Sequence, residues 1–220
     1  MQRSVNGKPL TYLDSGATAQ KPERVIEAVN RMHREQNANI HRGVHLLSAE
    51  ATELYEQARE RVRSFIGAAA REEVIFTAGA TASINTVAYA WSEKFLHAGD
   101  NIVISEMEHH SNIVPWQVVA ERRGAEIRVL PFDEEGRLMT ERLDTLLDER
   151  TRMVAVTQAS NTLGTRPDLR PIIEKAHAVG AHVMVDGCQG VVHGGVDVEA
   201  LDCDFYAFSG HKLYGPTGIG

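Results

Sequence analysis

From residue 73 onward the sequence alternates between two kinds of stretch, and this alternation limits the fold more than any other feature. Short β-branched or apolar runs stand at Glu73–Thr77, Asn101–Ser105, Glu126–Leu130, Met153–Thr157, His182–Val185 and Phe205–Phe208. Between most of them lie stretches with helical spacing: Ala82–Leu96, Ile113–Arg123, Thr140–Leu147 and Pro167–Val179. Strands that alternate with helices predict an α/β fold, with a mostly parallel sheet and helices on both faces. In such a sheet a ligand sits beyond the carboxyl ends of the strands. No internal repeat, low-complexity segment or linker interrupts the pattern, so one α/β domain is expected.

Ahead of the alternation the chain reads differently. Residues 1–21 are turn-rich, and Leu10-Thr11-Tyr12-Leu13 runs into Asp14-Ser15-Gly16-Ala17-Thr18. Pro22 stands where a helix would begin, with Val25, Ile26, Val29 and Met32 at helical spacing. A second helix is predicted from about Ser48 to Ile66, with Leu54, Ala58, Val62 and Phe65 on one stripe. The 220 residues carry 23 Lys+Arg against 30 Asp+Glu, a net charge of -7, so nothing favours nucleic acid or an anionic membrane. Two cysteines, Cys188 and Cys203, are too few for a disulfide framework and fit a reducing compartment. The start lacks the apolar core of a signal peptide, and no apolar run reaches the length of a membrane span. A cytoplasmic protein is expected.

The chemistry sits at the ends of the predicted strands. After Phe205–Phe208 comes Ser209-Gly210-His211-Lys212-Leu213-Tyr214-Gly215-Pro216, a Gly-rich turn that sets one lysine behind a serine and a histidine. A lysine held there suits an enzyme that carries an aldehyde cofactor as a Schiff base. After Val183-Met184-Val185 comes Asp186, a carboxylate that is costly at the end of an apolar strand unless it has a partner. A protonated pyridine nitrogen is such a partner, although a capping role is the commoner one. Ala78-Gly79-Ala80-Thr81 opens a helix and can cradle a phosphate, or Thr81 can serve as an ordinary cap. His109 and His110 are adjacent, and His41 and His45 stand four apart, but neither pair has further ligands at metal spacing, so no metal site is expected. His109 stacked on a flat cofactor is the sharper alternative. Asn161, beside a glycine turn, can supply an amide to a substrate carboxylate. Together these positions, on one rim of one sheet, point to pyridoxal 5'-phosphate (PLP).

The order of motifs resembles the class V aminotransferase group of fold-type I PLP enzymes, and within it the Suf-type cysteine desulfurases and selenocysteine lyases. The likeness is carried by Tyr12-Leu13-Asp14-Ser15, His41-Arg42-Gly43-Val44-His45, Met107 to Trp116, Ser160-Asn161, Val185-Asp186-Gly187 and Asp202 through Lys212 to Gly220. It implies the large domain of such transferases, a homodimer, and release of L-alanine and an enzyme persulfide from L-cysteine, with sulfur passing to a Suf-type acceptor protein for iron–sulfur clusters. It also implies a role for each residue. Lys212 binds the cofactor and moves the Cα proton, Asp186 pairs with the pyridinium nitrogen, and Gln189 bonds the ring hydroxyl. His109 stacks on the ring, while Thr81, Ser209 and His211 hold the phosphate. Asn161 orients the substrate, and His41 lies near the mouth of the site.

Two departures from the family pattern stand out. Ala78-Gly79-Ala80-Thr81-Ala82 replaces the usual Arg-Gly-Thr-Thr-Glu, losing two charges that would lie near the subunit interface. The family chain also continues past this point into a small C-terminal domain, bringing a nucleophilic cysteine and an arginine that clamps the substrate. The resemblance therefore implies that residues 1–220 are an N-terminal segment plus an incomplete PLP-binding large domain, with the small domain absent. Such a chain is expected to bind PLP without completing persulfide transfer. The alternatives are a selenocysteine lyase acting on L-selenocysteine, another class V enzyme, or a non-catalytic PLP-binding or dimerising module.

Overall fold

A computed structural model describes residues 3–220. The chain opens with a short antiparallel hairpin, β1 (Ser4–Val5) and β2 (Lys8–Pro9). Two helices follow, α1 (Glu23–Arg31), which runs on through a π-helical turn at Met32–Gln36, and α2 (Leu46–Ile66). The His45 side chain accepts from the Ser48 amide to cap α2, and Gly67 ends it in the left-handed region. Both predicted helices form, but their apolar stripes stay open. Ile26, Met32, Leu54 and Phe65 are exposed, and nothing among the described residues covers them.

From α3 (Ala80–Phe95) onward helix and strand alternate. The succession is β3 (Asn101–Ser105), α4 (Val114–Arg123), β4 (Glu126–Leu130), α5 (Leu143–Leu146), β5 (Thr151–Thr157), α6 (Arg170–Ala178) and β6 (His182–Asp186). Two short helices, α7 (Gly190–Gly194) and α8 (Val198–Leu201), lead to β7 (Phe205–Ala207). Strands β3 to β7 form one wholly parallel sheet in the order β4-β3-β5-β6-β7.

The period-2 rule divides the strand side chains between two cores. Ile102, Ile104, Met153, Ala155 and Met184 face Ile84, Trp91 and Trp116 of α3 and α4. Val103, Val154, Val156, Val183 and Val185 face Leu143, Ile172 and Ile173 of α5 and α6. Helices therefore cover both faces, as the alternation predicts, and the buried strands read as near-continuous apolar runs for that reason.

The expected strand at Glu73–Thr77 is the exception. Residues 71–73 form a 3-10 turn, and the segment after it is extended but in no ladder. Only Thr77 finds a strand-like partner, exchanging both backbone hydrogen bonds with Gly220 (2.7 and 3.0 Å). A β-branched run becomes a strand only where another backbone pairs with it, and propensity alone does not supply that partner. The helix expected at Thr140–Leu147 is likewise reduced to a 3-10 turn, Thr140–Arg142, and the single turn of α5.

Candidate active site

The chain leaves β3 toward β4 on one side and returns to β5 on the other, so the switch point of the sheet lies between β3 and β5. A crevice at the carboxyl ends of the strands follows from that topology. There the structure places a cavity of about 500 Å³. Its walls include Lys212, His211 and Ser209 from the turn after β7, Asp186 at the end of β6, and Gln189 just beyond it. Thr81 in the first turn of α3, His109 from the loop after β3, and Asn161 from the loop after β5 complete the predicted set that meets here. His41 is not among the lining residues. It is held against α2, with its Nε2 3.2 Å from Glu56 and its ring edge-on to Tyr55.

Each group is set by its own local structure. Asp186 is buried at 4 % exposure; its carboxylate accepts from the Cys188 amide (2.9 Å), and no cationic side chain forms an ion pair with it among the described residues. Gly187 lets β6 turn beside β7, because a Cβ there would lie 2.0 Å from the Tyr206 ring. The Tyr206 hydroxyl donates a short hydrogen bond to Gln158. At the phosphate end, Gly79 adopts φ +133° and α3 starts with no side-chain cap. Ser209 reaches across from the β7 turn, and its Oγ accepts from the Ala80 amide at 2.9 Å. The other first-turn amides of α3 remain as donors toward an anion. His211 has its pKa lowered by burial and by the neighbouring Lys212 and Lys21 charges, so this end of the cavity is electropositive.

His109 is oriented by Ser111, whose amide donates to Nδ1 at 3.1 Å and whose hydroxyl lies 2.8 Å from the same nitrogen. An acceptor at Nδ1 leaves the proton of a neutral ring on Nε2. Gln189 donates from Nε2 to the carbonyl of Gly16 (2.9 Å), which draws residues 14–17 over the cavity. Asn161 is exposed and donates to Thr162 (3.3 Å).

Sequence reasoning passes over several parts of this site. Asp14, Gly16 and Ala17 form a wall, although the sequence assigns them no role in the site beyond Asp14's place in a family-like motif. Cys188 also lines the cavity, and burial and the Asp186 charge push its thiol well above the ordinary range. Glu108 is also buried, beneath the floor; burial raises its carboxyl to about 8. The signal for it was present, since Glu108, Asn112 and Trp116 recur at intervals of four directly after a buried strand. Among the described residues no group of three or more His, Cys, Asp and Glu is placed to hold a metal ion. No helix among them is long and apolar enough to cross a membrane.

A parallel α/β sheet thus sets a lysine, a buried carboxylate and a helix N-terminus around one crevice, the fold of the class V transferases. The aminotransferase class-V family model matches residues 11–220, and the chain belongs to that family. It is 57% identical over all 220 residues to a cysteine desulfurase of Enterobacter sp. (strain 638), and 56% identical to that of Cronobacter sakazakii. Among solved structures it resembles a cysteine desulfurase of Escherichia coli, at TM-score 0.87 and 46% identity over 95% of this chain and 52% of that one. It also resembles the apo cysteine desulfurase of Thermococcus onnurineus NA1, at TM-score 0.89 and 39% identity over 94% of this chain and 52% of that one. The chain spans about half the length of the curated relatives it matches, 54% for the first.

Proposed function

We propose that the protein acts as a PLP-dependent cysteine desulfurase, removing sulfur from L-cysteine to give L-alanine and an enzyme persulfide. The observation that carries this reading is the cavity itself, where Lys212, an Asp186 carboxylate with no cationic partner among the described residues and the open N-terminus of α3 share one space. A pyridine ring bearing a phosphate and an aldehyde answers all three. Asp186 would pair with its ring nitrogen, the first turn of α3 would hold its phosphate, and the Lys212 amine would take its aldehyde. Enzymes of the class V family carry this cofactor. When bound, it supplies an electron sink for negative charge at the substrate Cα.

The chain's own residues do the rest. Asp186 holds the ring nitrogen protonated, and Gln189 keeps a second amide N–H for the ring hydroxyl. Thr81, Ser209 and His211 bind the phosphate, and His109 covers one ring face. Asn161 orients the substrate carboxylate, and the Lys212 amine takes the Cα proton and returns one to the product. His41 has no part in this reading. The sulfur-accepting thiolate is not supplied by Cys188 or Cys203. Burial pushes both thiols up, Cys203 to about 12, whereas a nucleophile needs a depressed pKa and access. The exposed apolar stripe of α1 and α2 supports a homodimer. A cytoplasmic setting, a Suf-type sulfur acceptor and delivery to iron–sulfur clusters complete the proposal as what the resemblance to the Suf-type group implies.

The test begins with PLP added to the purified chain. A visible absorbance band that borohydride fixes onto Lys212, located by peptide mapping, is the expected result. A label on another lysine, or an unchanged band in Lys212→Ala, would refute the assignment. Alanine release by the complete protein, compared on L-cysteine and L-selenocysteine, then separates a desulfurase from a selenocysteine lyase.

A further inference from the structure

Below the cavity floor runs a chain of buried hydrogen bonds whose direction is fixed at one end. The indole of Trp116, fully buried, can only donate, and its Nε1 donates to Asn112 Oδ1 at 2.9 Å. The Asn112 amide must therefore turn its Nδ2 the other way, where it donates to Glu108 Oε2 at 2.7 Å. Glu108 Oε1 accepts from the Thr157 amide at 2.6 Å, the last residue of β5, and shares a short hydrogen bond with Ser105, the last residue of β3. One carboxyl thus closes the switch point, tying together two strand ends and the loop that carries His109.

We propose that Glu108 is a positioning residue, whose carboxyl fixes the β3 and β5 ends and the following loop so that His109 is presented to the cofactor. This inference rests on the PLP reading of the cavity. The polarity of these hydrogen bonds is independent of charge. Glu108 must accept at Oε2 from Asn112 and at Oε1 from Thr157, and both the ionised and the neutral carboxyl can do so, the neutral form giving its proton to Ser105. A glutamine cannot. With its nitrogen at the Oε2 position it meets the Asn112 donor, and with its nitrogen at the Oε1 position it meets the Thr157 N–H. Burial, which holds the carboxyl at about 8, is consistent with a group kept for its acceptors.

The same polarity prescribes a rescue. In the double variant Glu108→Gln with Asn112→Asp, the glutamine nitrogen donates to one aspartate oxygen and the Trp116 indole donates to the other. The hydrogen-bond chain is restored and the carboxylate has moved one link away. The experiment measures two things on the full chain: the imidazole NMR signal of His109 without cofactor, and PLP affinity by absorbance titration. Glu108→Gln is expected to shift or broaden the His109 signal and weaken PLP binding roughly tenfold to a hundredfold, as a small misplacement does. The double variant is expected to recover both. If Glu108→Gln fails to fold, Asn112→Leu, which removes the donor to Oε2 and the acceptor for the Trp116 indole, is expected to show the same losses. Single variants that match the native chain would overturn the proposal. So would a double variant no better than the singles, because charge at position 108 rather than geometry would then be what matters. If the native chain takes up no PLP while the His109 signal still follows this pattern, the cofactor reading falls and the positioning role stands.

Discussion

The buried Glu108 carboxyl makes the stability of the fold depend on pH in a direction opposite to the usual carboxylate case. Its pKa rises from an ordinary 4.5 to about 8, chiefly through burial, with the nearby Asp186 charge adding to the effect. Between those values the folded chain keeps a proton that the unfolded chain has released. Stability from this group is therefore fully present below pH 4.5 and is lost as pH rises through about 8. The slope is about 1.4 kcal/mol per pH unit. Over the whole window the loss reaches on the order of 2–5 kcal/mol, the lower figure allowing for relaxation around the carboxylate. Glu108→Gln has no such titration, but it carries a donor mismatch of about 1–3 kcal/mol at every pH. Urea unfolding of both proteins at intervals from about pH 5 to about pH 8 would check this. The native chain should be the more stable at acid pH, and its advantage should shrink steadily toward pH 8. The lowered pKa of His211 acts in the opposite direction but is common to both proteins, so it cancels in the difference. A constant gap across the series would refute the reasoning.

Other consequences can be checked in the same way. Gly187→Ala forces a Cβ into the Tyr206 ring and should cost about 2–3 kcal/mol in urea unfolding while weakening PLP uptake. Met153→Ala empties a fully buried position on the central strand and should cost about 2–5 kcal/mol by the same measure. Cys188 and Cys203 should resist iodoacetamide at pH 8 in the native chain and react readily in denaturant, read by intact mass; fast native labelling would contradict their raised pKa values. Asp148, held near pKa 2 mainly by its hydrogen bond from Arg128, contributes stability above pH 3.8 that disappears as pH falls through about 2. Asp148→Asn should flatten that part of a thermal-unfolding series.

The parallel sheet was legible because burial on both faces leaves an unmistakable record. Runs such as Met153-Val154-Ala155-Val156 have no polar side to show, and each is followed by a helix of the right period. The cavity was legible for a related reason. In a parallel sheet every strand ends at the same rim, so Asp186 and the Ser209–Lys212 turn had to approach one another once the strands were recognised. Where local pattern depends on a distant partner, the sequence misleads. Ile75 and Phe76 have strand propensity, yet without a ladder they stay outside the sheet. His41, within a family-like motif, meets Glu56, an acidic neighbour on α2 that no local rule connects to it, and its place at the mouth of the site stays what the resemblance implies. Glu108 carried a periodic signal with Asn112 and Trp116, but its role as an acceptor for two strand ends shows only once β3 and β5 are paired.

The walls of the cavity are not held with equal strength, and the difference follows from what each can bury. The Asp186 and Thr157 walls are continuous with the central strands, whose side chains reach zero exposure at Ala155, Val156 and Val185. The wall made by residues 14–17 has no such anchor, since Leu13 beside it is 89% exposed and Ala19 is the one buried apolar residue of the segment. It is attached instead by polar contacts. The Ala19 amide donates to the His211 carbonyl at 3.0 Å, and the Lys21 ammonium donates to the carbonyls of Ala19 and His211 at 2.6 and 3.2 Å. Gln189 holds Gly16, and the Tyr12 hydroxyl donates to the Thr18 carbonyl at 2.9 Å. Each such bond contributes about 1 kcal/mol net, far less than a buried leucine or methionine. Segments with few buried contacts open first. The side of the cavity facing residues 14–17 is thus its least stable wall, and it is tied to the carbonyl of the residue immediately before Lys212. Any force that moves this wall is transmitted to the lysine turn through His211 and to the turn after Asp186 through Gln189.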